Sequence, residues 1–301
     1  MKKTLTFCIL FIIMLTARAQ NDFLISQFFH VPSAYNPAFT GKMPAINVAL
    51  IARQQWVGID GAPSTQYFNI EAQFLRRHGI GITVYNDALG LEKSINVKLM
   101  YAYHLKISAN SNLSISAGIG VLNRTIDEKK IKFDKDQNIS EFDIPSNLSA
   151  NFDFGLLFYT QKLNIGLSSK YLDRSIEGST FVKSPRHYYL YADYKFNLGE
   201  RFALVPTLFV RSTLFATQYE INTNLVFKDK IWGGISYRSN DVIILNVGML
   251  IKKMFKVGYA FDYGFGPMLG QNAGSHEIFA YYTFSLLRGP KSYYKNPRMF
   301  N

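Results

Sequence analysis

Residues 112–121 read NLSISAGIGV. Leu113, Ile115, Ala117, Ile119 and Val121 carry apolar side chains, and Asn112, Ser114, Ser116, Gly118 and Gly120 between them carry polar or minimal ones. The repeat is two residues, the period with which a β-strand turns successive side chains to opposite faces, and not the 3.6 of a helix. The segment therefore separates an apolar medium from a wet or tightly packed one. Ile95, Val97, Leu99, Tyr101, Tyr103 and Leu105 oppose Asn96, Lys98, Ala102 and His104 in the same way, and Leu163, Ile165, Leu167 and Tyr171 oppose Asn164, Ser168 and Lys170.

Working outward, strand-like runs fall near 45–54, 65–76, 79–86, 94–106, 112–123, 151–159, 162–172, 187–197, 202–212, 217–227, 230–239, 241–251, 254–263 and 276–287, fourteen in all. Lys98, Lys170, Asp193, Glu220, Arg238, Lys256 and Asp262 sit mid-strand on the less apolar face. Alternation of this kind fits a soluble sandwich with its polar face in water, and equally a transmembrane barrel with polar residues in the lumen and apolar ones in lipid.

Connection lengths separate the two. On one side the links are short: Arg77-His78, Ile107 to Ser111, Thr160-Gln161, Leu198 to Arg201, Asp229 and Lys252-Lys253. On the other, Gln55 to Ser64, Asp87 to Lys93, Arg124 to Ala150, Asp173 to Arg186 and Gly264 to Ser275 are long, with Thr213 to Ala216 and Asn240 as exceptions. Tight turns alternating with longer loops distinguish periplasm from cell exterior in outer-membrane barrels, and a sandwich has no reason for the pattern. No window after the leader reaches the roughly 18 uncharged apolar residues of a membrane helix. The expected class is all-β: an outer-membrane β-barrel of about 14 antiparallel strands.

The flanks agree. Lys2 and Lys3 precede an apolar run from Leu5 to Leu15 and a small-x-small site, Ala17-Arg18-Ala19, so 1–19 reads as a secretory signal peptide and the mature chain is expected to begin near Gln20. The run is too short to span a bilayer. Cys8, the only cysteine, lies in the leader, which excludes disulfides, thiolate metal sites and a cysteine nucleophile from the mature protein. The formal charge of +12 includes Lys2, Lys3 and Arg18; removing those three leaves +9. A basic exported protein points to anionic lipid or acidic surfaces before nucleic acid. Phe (25) and Tyr (19) lead an aromatic content of 15%, as expected where rings sit at a membrane interface. Residues 20–43 break the strand pattern with Pro32, Pro37 and Gly41, and Asn36-Pro37 favours a turn. They read as an ordered N-terminal segment packed in or under a barrel spanning 44–287. Asn36 to Gly41 reads as a plug or lid. The tail 288–301, RGPKSYYKNPRMFN, carries four basic residues, Arg288, Lys291, Lys295 and Arg298, and no acid, and reads as a basic and aromatic periplasmic tail.

No catalytic motif is present: there is no G-x-S-x-G, H-E-x-x-H or P-loop, and His276-Glu277 lacks a second histidine at metalloprotease spacing. His104, on a polar strand face, is expected to be hydrogen-bonded in the lumen. Asp134, Asp136 and Asn138 copy the start of a calcium loop, but Ile139 and Pro145 stand where an EF-hand needs Gly and Glu. Asp127, Glu128, Asp134, Asp136, Glu141 and Asp143 cluster in loop 124–150, which leaves a weak cation site or a solvated loop as alternatives. The expectation is no enzyme, no cofactor and no metal.

SQFFHVPSAYNPAFTGK (26–42), RQQWVGIDGAPSTQYF (53–68), GIGITVYNDALG (79–90), YAYHL (101–105), VGYAFDY (257–263) and SHEIF (275–279), taken in order, resemble the PorP/SprF family. The resemblance runs from about residue 23 to the C-terminus. It implies a Bacteroidota outer-membrane protein linked to type IX secretion and gliding, one that helps export or anchor a large surface protein such as an adhesin. Implied partners are outer-membrane lipid, the secreted cargo, and periplasmic or outer-membrane secretion subunits, with no nucleic acid. From motif and loop position, partner contact is expected at Arg53, Gln55, Trp56, Asp60, Pro63, Asn86 and Asp87 outside, and at Tyr293, Tyr294 and Arg298 of the tail beneath. Trp56 also reads as an interfacial anchor, and Gly58, Gly61 and Pro63 as residues that hold one loop shape. A porin or small-solute transporter stays open as the alternative, since a barrel of this strand number is wide enough for either.

Overall fold

The computed structural model describes residues 22–126, 147–172, 185–266 and 269–285. The expected leader, the tail with Tyr293, Tyr294 and Arg298, and the acidic cluster of loop 127–146 lie outside the described residues. Fifteen strands form one antiparallel sheet: β1 (Ala45–Gln54), β2 (Ser64–Phe74), β3 (His78–Leu89), β4 (Glu92–Lys106), β5 (Asn112–Ile126), β6 (Asn147–Tyr159), β7 (Leu163–Lys170), β8 (His187–Tyr194), β9 (Phe196–Leu198), β10 (Phe202–Ser212), β11 (Thr217–Phe227), β12 (Ile231–Arg238), β13 (Val242–Ile251), β14 (Phe255–Gly264) and β15 (Ser275–Ser285). Each pairs with its neighbours in sequence, except that β8 and β9 both pair with β10 and not with each other, and β1 pairs with β15 from Ala45↔Ser285 to Gln54↔His276, which closes the sheet into a barrel.

The barrel has fourteen staves because β8 and β9 form one. Thr207↔Asp193 and Leu204↔Phe196 belong to the same register along β10, and Pro206 lies between them. Proline has no N–H to give the ladder, so the pairing lapses there without a change of face.

Alternation follows the sequence. Ile115, Ile119 and Val121 of β5 point outward and are exposed, while Ser114, Ser116, Gly118 and Gly120 point inward and are buried. Exposed apolar residues recur on the outer face of the other staves, among them Leu99, Phe154, Leu167, Ile221, Ile235 and Leu245. In water such a belt would far exceed the apolar patch a soluble protein tolerates; in hydrocarbon it is the required surface. Closure leaves the described sheet without an open edge, which a lipid environment demands.

Several boundaries differ from expectation; β6, for example, begins at Asn147 and not near 151. The link between β3 and β4 is Gly90-Leu91, not a loop from Asp87 to Lys93, because the ladder continues to Leu89↔Glu92. Asn86 and Asp87, which suggest a turn locally, are strand residues whose side chains pair across β2 with Gln66 and Thr65. Cross-strand pairing has overridden local turn preference. Likewise β5 runs on to Ile126, and Arg124 meets Glu92 across the sheet at 3.4 Å.

Leu99, paired with Ile119 on the lipid face, generates a direct test. Leu99→Lys is expected to cost about 2–4 kcal/mol, whereas Leu75→Lys in a turn should cost about 0–1 kcal/mol. Denaturant midpoints of the barrel refolded into lipid vesicles measure both.

Candidate functional site

The interior of the barrel is filled by the chain's own N-terminal segment. Residues 22–43 carry three single turns of 3-10 helix, Phe28–His30, Pro32–Ala34 and Pro37–Phe39. Pro32 and Pro37 stand at first-turn positions, where the missing N–H costs nothing, and the Asn36 side chain accepts from the Ala38 N–H at 2.9 Å to cap the last turn. Ile25, Ser26, Gln27, Phe28, Phe39 and Thr40 are all fully buried. The segment descends from the ends of the staves joined by the longer loops to those joined by tight turns, where β1 begins.

Near the outer mouth it is held by charge. The Ser26 and Gln27 backbone N–H groups donate to the two Glu277 oxygens at 2.7 and 2.8 Å, and the Ser26 hydroxyl donates to Asp262 at 2.8 Å. Arg53 donates to the Ser26 hydroxyl oxygen at 2.7 Å and to Asp262 at 2.7 Å. Arg238 donates to Ser26 and Asp262, both at 2.9 Å, and to Glu220 at 2.6 Å. Four staves thus converge on one serine, with Glu220 of a fifth held behind Arg238, and every charged member of the cluster is almost wholly buried. A buried ion group gains little net stability over an apolar one, but removing one partner strands the others in a medium that cannot solvate them.

A second anchor is Asp22. Lys170 donates to it at 3.1 Å, and the Tyr171 and Tyr189 hydroxyls also bond it. Burial opposes its charge, but Lys170, His187 and the donors from Tyr189 and Lys170 outweigh that and hold the carboxyl well below the usual carboxylate range. Lys98 pairs with Asp153 in the middle of the barrel.

The central contacts are aromatic. Phe28 stacks on Phe209 at 4.6 Å, His30 on Phe279 at 4.7 Å, and Tyr35 packs against Phe209 at 4.8 Å. Lower down, the wall makes room with glycine. A Cβ on Gly155 would fall 2.1 Å from the Asn36 side-chain oxygen, and one on Gly79 would fall 2.0 Å from the Thr40 carbonyl oxygen. Asn36 uses that proximity to donate to the Leu156 and Leu167 carbonyls at 3.0 and 3.2 Å. Gly41, with φ +62°, turns the chain where a side chain would strike Gly79 and Ala72. His104 donates through Nε2 to the Thr40 carbonyl at 2.9 Å, which leaves Nδ1 to accept from Tyr159 at 3.2 Å. His104 is therefore a lumen hydrogen-bonder, as its strand position suggested.

The outer mouth is ordered by its own loops. The Gln55 N–H bonds the Pro63 carbonyl at 2.8 Å, Val57 and the Gly274-Ala273 backbone exchange bonds at 2.9 and 2.8 Å, and Gly90 bonds the Gly61 carbonyl at 2.8 Å. Trp56 and Asp60 are exposed on this surface, Gln55, Asn86 and Asp87 are partly exposed, and Pro63 is buried. Arg53 departs from its expected place: it faces the lumen and holds Ser26, because β1 turns its odd-numbered residues inward. The sequence marked Glu220, Arg238 and Asp262 as charges on the wet face. It gave no sign that Ser26, Gln27 and Glu277 complete their network, since those partners lie more than 200 residues apart. Among the described residues no group of acidic, histidine or cysteine side chains could hold a metal ion.

A family model described as type IX secretion system membrane protein PorP/SprF matches residues 17–282. No curated protein matches the sequence. Among solved structures, the CymD monoaromatic hydrocarbon channel is 10% identical with a TM-score of 0.53, over 87% of this chain and 92% of that one. A mutant form of the TodX monoaromatic hydrocarbon channel is 10% identical with a TM-score of 0.50, over 83% and 93%. Omp33 of Acinetobacter baumannii is 12% identical with a TM-score of 0.47, over 80% and 98%. At such identities the likeness is one of fold.

Two results are expected from the packed lumen. Asp262→Ala should destabilise by about 3–5 kcal/mol, because Arg53 and Arg238 lose a shared buried partner; denaturant unfolding in lipid vesicles reads the loss. The native protein should show no steady conductance in planar bilayers, whereas Gly155→Val, which fills the place of Asn36, should assemble as a barrel and conduct.

Proposed function

The chain belongs to the PorP/SprF family of type IX secretion system membrane proteins, lodged in the outer membrane, and from that premise we propose that it is a non-enzymatic anchor that holds a large exported protein such as an adhesin at the cell surface. The observation that carries this reading is the filled lumen. With residues 22–43 packed into the wall, a folded passenger has no passage through the barrel, and the rigid outer mouth is the surface left for it to meet. A porin would need that segment displaced.

On this reading Gln55, Trp56 and Asp60 touch the cargo, Pro63 keeps their loop in shape, and Asn86 and Asp87 brace the neighbouring hairpin. Loops held on a rigid scaffold are well suited to such contacts. Arg53 serves indirectly, by fixing the segment beneath them. Tyr293, Tyr294 and Arg298 of the basic tail would meet periplasmic secretion subunits.

The test is to replace residues 55–62 with a Gly-Ser linker of equal length in the native host. Cargo co-purified in mild detergent is identified by mass spectrometry, and its display is read by protease accessibility on whole cells. Loss of display with normal heat-dependent migration of the barrel is expected; unchanged display would sink the anchor reading of this loop.

A further inference from the structure

The end of the barrel opposite the cargo surface has its own chemistry. Six tight connections make its rim: 75–77, 107–111, 160–162, 199–201, 228–230 and 252–254. They carry eight basic residues, Arg76, Arg77, Lys162, Arg201, Lys228, Lys230, Lys252 and Lys253, against two acids, Glu200 and Asp229. All eight bases are exposed. At the outer mouth the described connections hold Asp60 and Asp241 against Arg186, so the positive field belongs to the periplasmic end. Clustered charge of one sign with low-dielectric walls raises the local concentration of the opposite sign.

The field continues inward. Just inside the rim is a cleft with about 70 Å³ of free volume, lined by Lys162, Lys195 and Lys256 over a floor that includes Trp232, Tyr281 and Phe29. Lys195 and Lys256 are more than nine-tenths buried. Lys195 pairs with Asp229 at 3.5 Å, and Lys256 lies over the Tyr281 ring at 5.4 Å. The acid within the cleft, Asp193, already accepts from Asn164 and from the Tyr191 hydroxyl, each at 2.6 Å. Thr207 and Asn224, both buried in the lining, each present an oxygen without a hydrogen-bond partner among the described residues. A hydroxyl can donate and an amide oxygen can accept, but both atoms lie beneath the cleft surface, so what the cleft offers an acidic polypeptide is the positive charge of its lysines.

We propose that this periplasmic mouth is a docking site for an acidic polypeptide segment, which places a carboxylate in the cleft beside Lys195 and Lys256 while flanking acids meet the rim. Anionic lipid headgroups could satisfy the rim, but they lie outside the wall and do not reach the cleft. The inference rests on the barrel and its orientation, and is independent of cargo anchoring at the other end.

Fluorescence anisotropy of labelled decaglutamate with the full-length protein tests it, in phosphatidylcholine nanodiscs, with decaglutamine as control. Decaglutamate is expected to bind, decaglutamine to bind at least tenfold more weakly, and affinity to fall as salt rises. The Lys195→Gln/Lys256→Gln variant should lose at least tenfold affinity while migrating as a folded barrel. Undiminished binding by that variant would overturn the proposal by tracing affinity to the rim alone. Loss of binding in phosphatidylglycerol nanodiscs would overturn it too, by assigning the basic surface to lipid. Cargo display is read in cells at the opposite mouth, so either proposal can fail without the other.

Discussion

Charge that cannot enter hydrocarbon, and cannot be left unpaired in a packed lumen, governs the rest of this structure. Closing the sheet satisfies the wall's backbone and gives the lipid an apolar surface, but it turns Arg53, Glu220, Arg238, Asp262 and Glu277 inward together. Ser26 and Gln27 supply the hydroxyl and backbone donors that complete this group. The N-terminal segment is therefore part of the barrel's electrostatics as much as its filling.

That dependence explains why small residues occur where they do on the inner wall. Gly79 and Gly155 give the segment room at the points where it approaches the staves most closely, while rings from both partners occupy the wider middle. Charged, aromatic and glycine-lined parts of the wall receive different parts of the segment. Each suits the part of the segment that reaches it, from Asp22 and Ser26 through Phe28 and Tyr35 to Asn36 and Thr40.

A filled barrel presents two ends rather than a passage. The outer one is fixed by backbone bonds among the loops at 55–63, 90 and 273–274, and the inner one is a basic rim around a lysine-lined cleft. Their chemistry differs enough that they suit different partners. Membership in a secretion family is consistent with a protein that is met from both sides of the outer membrane.

The period-two pattern of Asn112 to Val121 and its repeats was enough to determine the strands, their faces and, with the alternating connection lengths, the barrel, because side-chain direction in a strand depends only on position. The mid-strand charges were likewise legible as lumen residues, and the proline-punctuated segment as something other than a strand. What the sequence alone could not decide was partnership. Arg53 looked like the start of an outer loop and became a lumen anchor, and Asn86-Asp87 looked like a turn and stayed in the ladder. Ser26 meets Asp262 across 236 residues, and only closure of the barrel brings them together. Periodicity is a local property of the chain, whereas the pairing of buried charges is settled by which staves the closed sheet makes neighbours.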